Sequence, residues 1–257
     1  MISSEEIAFR LALRAATRLG MPYTPRKVWN VRKTEYQTPQ YKLIKGVPMV
    51  CVDPNNEAVY CWAALWRYTQ QPARLIRIDA YDDMITKDER LRPSLPEEKD
   101  FRTATLEEIF HYAHHLGFAS FLEPAVQQGL IDPIVNRFNP HDKGFESYRY
   151  ETEPYHHFRV LSPSEAKDAN RGLENLPLVV DIDLVSFSSL RDLSHAHGLI
   201  DQRIASAEML LHSLREKPAC ITLAQSRTPI PYVPANTLGY VRDKTFEMVE
   251  RVIRGTP

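Results

Sequence analysis

LVVDID at residues 178–183 is the stretch that decides the fold, because an apolar, β-branched run ends there in two closely spaced aspartates. Residues 73–79 have the same design, with Ala-Arg-Leu-Ile-Arg-Ile followed by Asp79. Short runs of this kind are typical of strands that are buried on both faces of a parallel sheet. Both runs are therefore predicted to be strands that carry acids at their carboxyl ends.

Outward from these two runs, short apolar segments alternate with amphipathic helical segments. Further strands are predicted at residues 48–52, 158–161 and 219–224, and helices at 57–69, 105–116, 201–217 and 236–254. Such alternation is typical of βαβ units. The predicted fold class is α/β with a mainly parallel sheet, in a single domain over residues 1–257.

Two segments fall outside this alternation. Residues 1–46 are predicted to form an amphipathic helix, opened by the capping-box pair Ser3 and Glu6, and then an extended segment with prolines and many basic side chains. Residues 136–154 are polar and aromatic without a clear period. Because long irregular insertions in α/β domains often cover the substrate, residues 136–154 are predicted to form a substrate-facing loop.

Composition excludes some classes of function. The chain is 43% apolar and 25% charged, which is ordinary for a globular protein. Its 32 Lys and Arg against 33 Asp and Glu give a formal net charge of -1, so it lacks the basic field that binds nucleic acid or an anionic membrane. No dinucleotide or P-loop fingerprint occurs. We therefore expect neither nucleic acid nor a membrane as a partner.

The cysteines and the N-terminal residues indicate the compartment. Cys51, Cys61 and Cys220 are odd in number and form no C-x-x-C pair, so neither a disulfide framework nor a cysteine-rich zinc site is indicated. No apolar stretch approaches the ~18 residues of a membrane span, and Glu5 and Glu6 stand where a signal or transit peptide avoids acids. We expect a soluble, unprocessed, cytoplasmic protein.

The acids at the strand ends are the main chemical signal. Asp79 and Asp83 follow one predicted strand, and Asp181 and Asp183 end the other. Ligands of parallel α/β sheets bind at this edge, where a hard cation such as Mn²⁺ or Mg²⁺ relieves the repulsion between carboxylates. An Asp-x-Asp pair can also serve two ions, as two-metal hydrolysis requires. The alternative is that these aspartates cap the turns or helices that follow the strands.

Four segments together resemble a known family. Residues 78–84 (IDAYDDM) and 180–184 (VDIDL) are similar to the D-A-H-D-D-M and D-I-D-L-D signatures of arginase-like proteins, in the branch that includes the peptide arginases of ribosomal peptide maturation. Residues 52–58 (VDPNNEA) resemble its D-x-H-N-E-A motif, and residues 221–226 (ITLAQS) its I-T-I-A-x-S strand. The resemblance extends in the same order from about residue 40 to the C-terminus.

The resemblance implies a three-layer α/β/α fold of the arginase/deacetylase type that holds two Mn²⁺ ions. In such enzymes a metal-bridging hydroxide attacks the guanidinium carbon of arginine, releases urea and leaves ornithine, within a peptide in this branch. Two cations lower the pKa of bound water and so supply a nucleophile near neutral pH. By motif, four aspartates would be metal ligands: Asp79, Asp83, Asp181 and Asp183.

Three positions depart from the family pattern. Asn55 and Tyr81 stand where the motifs have their two histidine ligands, and Val185 replaces the third acid of D-I-D-L-D. The amide oxygen of Asn55 can still coordinate a hard ion, whereas neutral Tyr81 is a poor ligand because its phenol has a pKa of about 10. A reduced metal site is therefore predicted, with Asn55 as a fifth ligand.

Glu57 stands beside Asn55 at a strand-to-helix edge, where an acid can bind a guanidinium by paired hydrogen bonds. The alternative is an N-terminal helix acid that the helix dipole favours. Glu57 and Asp83 are the predicted catalytic residues. The predicted function is a peptide arginase-like metallohydrolase acting on a peptide or small guanidino substrate. The alternative is a catalytically inactive homologue that binds a peptide or regulates a partner, and a homo-oligomer is left open.

Overall fold

Eight strands of the described chain pair into one mixed sheet in the structure, which is a computed structural model. The structure describes residues 40–81, 100–113, 116, 121–141, 144–149, 156–161, 175–190, 197–214, 216–227 and 232–255. The strands are β1 (Gln40–Ile44), β2 (Val47–Val52), β3 (Ala73–Ile78), β4 (Ile131–Asn139), β5 (Gly144–Arg149), β6 (His156–Leu161), β7 (Leu178–Asp183) and β8 (Cys220–Ala224). The helices are α1 (Ala58–Thr69), α2 (Leu106–Ala113), α3 (Leu122–Gln127), α4 (His197–Leu214) and α5 (Ala235–Gly255).

The sheet is parallel in its middle and antiparallel at both sides. Its strand order is β1-β2-β8-β7-β3-β4-β5-β6, in which β2, β8, β7, β3 and β4 are parallel to their neighbours in that set. Strand β1 pairs antiparallel with β2, and β5 pairs antiparallel with both β4 and β6. The carboxyl ends of the five parallel strands therefore meet at one edge of the sheet, where α/β proteins bind their ligands.

Helices cover both faces of the sheet, because successive residues of a strand point to opposite sides and both sides are apolar here. On one face, Val52 and Leu75 belong to a core that includes residues of α1, α2 and α3. On the other face, Ile78 and Ile182 belong to a core that includes residues of α4 and α5. The described residues therefore confirm the predicted α/β class, with three layers and a mainly parallel sheet.

Local sequence signals explain where several elements begin and end. Lys45 and Gly46 both have positive φ, 44° and 85°, as the tight turn between β1 and β2 requires. Helix α2 begins with a reciprocal capping box, in which Glu108 N donates to Thr105 Oγ1 (3.1 Å) and Thr105 N donates to Glu108 Oε2 (2.7 Å). Helix α1 has no Gly or Pro and ends at Gln70, whose φ of 55° is left-handed.

The described part of residues 136–154 does not form the irregular loop that the sequence predicts. Strand β4 continues to Asn139 and β5 begins at Gly144, so the segment supplies most of an antiparallel strand pair. Prediction missed β4 because Pro133 and the polar Asn136 interrupt its apolar pattern. A register shift against β3 accommodates this interruption, as a bulge does. The substrate-facing role of this segment stays a prediction.

Some predictions lie outside the described residues. These are the helix and most of the extended segment predicted within residues 1–46, and the position of Asp83. The assignment of residues 1–257 to a single domain stays a prediction. None of the helices in the described ranges is long and apolar enough to cross a membrane.

Candidate functional site

Four adjacent parallel strands end at the same edge of the sheet, and three of them bring buried acids to it. Asp79 follows β3, Asp183 ends β7, and Asp53 follows β2, while Gln225 and Ser226 follow β8 between them. Each acid at this edge is at most 3% exposed. We call the group the strand-end carboxylates: Asp53, Glu57, Asp79, Asp181 and Asp183.

The register of the strands places three of these acids at neighbouring strand ends. Asp181 of β7 pairs with Arg77 of β3 on one side and with Thr222 of β8 on the other. Asp181 and Asp183 are two residues apart on β7 and so share a face of the sheet, while Asp79 comes two residues after Arg77, just past the end of β3. The structure thus places three of the predicted metal ligands at neighbouring strand ends.

A buried arginine, which the sequence analysis missed, lies at the centre of this cluster. Arg77 is 0% exposed, and its guanidinium forms ion pairs with Asp79 through Nη2 and with Asp181 through Nε, the latter at 3.1 Å. Its Cζ lies 5.2 Å from the centroid of the Phe121 ring, which is a cation–π distance. A signal was present in the sequence, because Arg77 is a charge within an apolar strand, on the face that Asp79 shares.

Further protein donors bind the other oxygens of the same two carboxylates. Asp79 Oδ1 accepts a hydrogen bond from Tyr81 N at 2.9 Å, and Asp181 Oδ1 accepts one from Thr222 Oγ1. All four oxygens of Asp79 and Asp181 therefore accept at least one hydrogen bond from the protein. The contact with Tyr81 N also shows the predicted alternative at Asp79, since an aspartate that bonds the N–H two residues on shapes a turn.

Asp183 likewise accepts hydrogen bonds from protein donors. Ser226 Oγ lies 2.7 Å from Asp183 Oδ1 and 2.5 Å from Asp183 Oδ2, and Val185 N donates to Oδ1 at 3.0 Å. Through the last contact Asp183 caps the short 3-10 turn Leu184–Ser186, so the predicted capping alternative is present here as well. Ser226 has a φ of 50°, a left-handed conformation that costs energy in a residue with a Cβ.

The end of β2 supplies the second pair of acids. Glu57 Oε2 accepts a hydrogen bond from Asp53 N at 3.3 Å, and Asp53 Oδ1 accepts one from Arg227 N at 3.1 Å. Asn55 is buried in the short 3-10 turn Asn55–Glu57 that leads into α1, and β8 separates β2 from β7. Glu57 thus shapes the loop after β2, while its role toward a guanidinium stays a prediction.

Burial and the acids at this edge raise the pKa values of two thiols, those of Cys61 in α1 and Cys220 in β8. Burial raises the pKa of the Cys61 thiol well above its usual range, and the nearby Cys220, Glu57 and Asp181 raise it further. Burial, and then the charge of Asp181, raise the pKa of Cys220 to about 12. Asp181 also lies on the same face of β7 as Val179, which belongs to the core that includes residues of α1.

The described donors do not fit the two Mn²⁺ ions that the resemblance implies. Within the described ranges, no group of three or more His, Cys, Asp or Glu side chains is arranged to hold a metal ion. The Arg77 guanidinium lies between two of the predicted ligands, Asp79 and Asp181. The Tyr81 ring, at a motif histidine position, packs edge-on against Tyr232 at 6.3 Å between centroids. The described residues therefore do not offer the donor set of a two-metal centre.

Comparisons with known proteins find structural similarity to solved structures. No family model matches the chain, and no curated protein matches it. The structure is similar to that of proclavaminate amidino hydrolase from Streptomyces clavuligerus, with 12% identity and a TM-score of 0.47, covering 80% of this chain and 64% of that one. It is also similar to a hypothetical agmatinase from Burkholderia thailandensis, with 14% identity and a TM-score of 0.47, covering 80% of this chain and 58% of that one. The match thus spans less than two thirds of the length of either protein.

Proposed function

We propose that this chain recognises the guanidino group of an arginine side chain, in a peptide or a small guanidino compound, without a two-metal centre. The observation that carries the proposal is the contact of Asp79 and Asp181 with the Arg77 guanidinium through two different nitrogen atoms. Carboxylates at this edge therefore have a geometry that suits the planar array of N–H donors of a guanidinium. The resemblance to arginase-like proteins supports the same ligand class.

The remaining strand-end carboxylates are the groups proposed to receive the ligand. Asp183 and the pair Asp53 and Glu57 are buried at the same edge, where charge-assisted hydrogen bonds are stronger than in water. Tyr81 lies two residues after Asp79, to which its backbone N–H donates, and its ring packs against that of Tyr232; guanidinium groups contact such rings readily. A guanidino ligand would therefore meet both acids and rings here.

Hydrolysis of the guanidino group to urea and ornithine is the second candidate function. The observation that favours it is the position of Asp79, Asp181 and Asp183 at neighbouring strand ends, as the arginase-like motifs imply. It also requires Asp83, which lies outside the described residues, and metal ions that the described donors do not fit. Peptide arginase activity is therefore the outcome to be tested against binding alone.

Calorimetry with an arginine-containing peptide, and with the same peptide carrying lysine instead, tests the proposal. We expect the arginine peptide to bind more tightly, because lysine cannot form paired hydrogen bonds with a carboxylate. Asp183→Asn should weaken this binding by roughly tenfold or more, since a hydrogen bond to a charged group is worth about 1.5–3 kcal/mol. Asp201→Asn, on the exposed side of α4, is the matched control and should bind as the parent does.

The outcomes separate the two candidates. Binding of the arginine peptide without urea release, in the presence of Mn²⁺, supports recognition alone. Urea release that Asp183→Asn abolishes would instead establish the hydrolase. Equal affinity for the arginine and lysine peptides contradicts the guanidino ligand in either case.

A further inference from the structure

Arg77 is a permanent positive charge in the interior of the sheet. It belongs to the central strand β3, whose six residues are all buried, and both faces of the sheet are covered by helices. A guanidinium keeps its proton at any pH at which proteins fold, and burying it is costly unless carboxylates surround it. The position of Arg77 in β3 therefore requires the acids that Asp79 and Asp181 provide.

The two carboxylates require Arg77 in turn. Asp79 and Asp181 lie on adjacent strands and are each 1% exposed, so their repulsion is poorly screened by water. The guanidinium contacts one oxygen of each, and Tyr81 N and Thr222 Oγ1 contact the others. In a metal site, a divalent ion supplies the same ionic compensation by coordinating the carboxylate oxygens, whereas here the guanidinium supplies it through hydrogen bonds.

We infer that the Arg77 guanidinium is the resident cation of this site and holds the place that a divalent metal takes between carboxylates in a metallohydrolase. A metal ion between Asp79 and Asp181 would meet this guanidinium at close range, where like charges repel strongly. Withdrawal of the guanidinium would also take it from its contact with the Phe121 ring. The inference does not depend on the ligand proposed above, because it concerns only how the buried acids are neutralised.

Thermal unfolding with and without millimolar Mn²⁺, after treatment with a chelator, tests this inference. The parent protein should melt at the same temperature in both conditions. A site filled at a hundred times its Kd would raise the melting temperature by roughly 5–10 °C in a chain of this size. Such a rise in the parent protein would overturn the inference, whatever the result of the peptide-binding experiment.

Variants of Arg77 give the second arm of the experiment. Arg77→Met keeps the length of the side-chain stem but removes the cation, so it should melt at a lower temperature and gain a rise with Mn²⁺. Arg77→Lys keeps a cation and should remain insensitive to Mn²⁺. Arg74→Met is the matched control: Arg74 is buried on the same strand and pairs with Glu216, away from the strand-end carboxylates, so Mn²⁺ should not alter its melting.

Each result decides the matter. The inference is supported if Mn²⁺ raises the melting temperature of Arg77→Met but not that of Arg77→Lys or Arg74→Met. It is also supported if Arg77→Met refolds only when Mn²⁺ is present. A folded Arg77→Met that ignores Mn²⁺ overturns it, because the acids would then not form a latent cation site. Should Arg77→Met fail to fold in either condition, the response of the parent protein decides.

Discussion

Replacing Thr222 by valine removes a single donor to Asp181 and leaves the side chain similar in shape. Thr222 is 0% exposed, and its hydroxyl donates to Asp181 Oδ1 beside the carboxylate's contact with Arg77. A hydrogen bond to a charged group contributes about 1.5–3 kcal/mol, and its loss leaves a buried acceptor weakly satisfied. We expect Thr222→Val to lower the free energy of unfolding by about 2 kcal/mol, or the melting temperature by roughly 4–8 °C.

Thr245→Val is the matched control for this substitution. Thr245 is equally buried, but its hydroxyl donates to Val241 O within helix α5 at 2.8 Å. Because a helical carbonyl already accepts a backbone hydrogen bond, the loss should cost about 1 kcal/mol or less. Urea unfolding measures both variants, with an unchanged m-value as evidence that only stability has altered. If Thr222→Val costs no more than Thr245→Val, Asp181 is not a charged acceptor held by protein donors.

Substitutions at two more positions, Ser226 and Cys220, test the surroundings of the same acids. Ser226→Ala and Ser226→Gly both remove the hydrogen-bond donor to Asp183, but only glycine adopts the left-handed backbone at φ 50° without strain. The Gly variant should therefore have a free energy of unfolding about 1 kcal/mol higher than that of the Ala variant. The reverse order in urea unfolding would contradict this prediction. The pKa of Cys220 is raised to about 12 in the folded state, whereas an unfolded thiol has a pKa of about 8.5. The stability that the neutral thiol contributes is therefore complete below about pH 8.5 and is lost as the pH rises from there toward 12. Thermal unfolding between neutral and alkaline pH should therefore show a smaller loss of stability in Cys220→Ala than in the parent, and equal losses would exclude the thiol as the cause.

The central strands could be predicted from the sequence, because the residue pattern that specifies each of them lies within the strand itself. The runs that became β3, β7 and β8 are mainly apolar and are buried at every position, which suits strands covered by helices on both sides. The acids that follow β3 and end β7 were predicted to meet at one sheet edge, and Asp79 and Asp181 do share a partner there. Strand β4 was missed because Pro133 breaks its pattern and only the pairing with β3 and β5 restores it.

The partners of these acids were not predictable in the same way. Thr222 and Ser226 are 41 and 43 residues away in sequence from the aspartates that they contact, and only the register of β7 with β8 brings them together. Arg77 is local to Asp79, yet its role depends on Asp181 of a strand 104 residues further along the chain. The acids considered alone predict a metal site, whereas the folded strands place the Arg77 guanidinium against two of them.

The metal content of the purified protein tests the central claim most directly. The chain would be produced in medium supplemented with Mn²⁺, purified without chelator, and its metal per chain measured by inductively coupled plasma mass spectrometry. If Arg77 and the surrounding hydrogen-bond donors satisfy Asp79 and Asp181, bound manganese should be far below one ion per chain. Two manganese ions retained per chain would contradict the account and would restore the two-metal hydrolase.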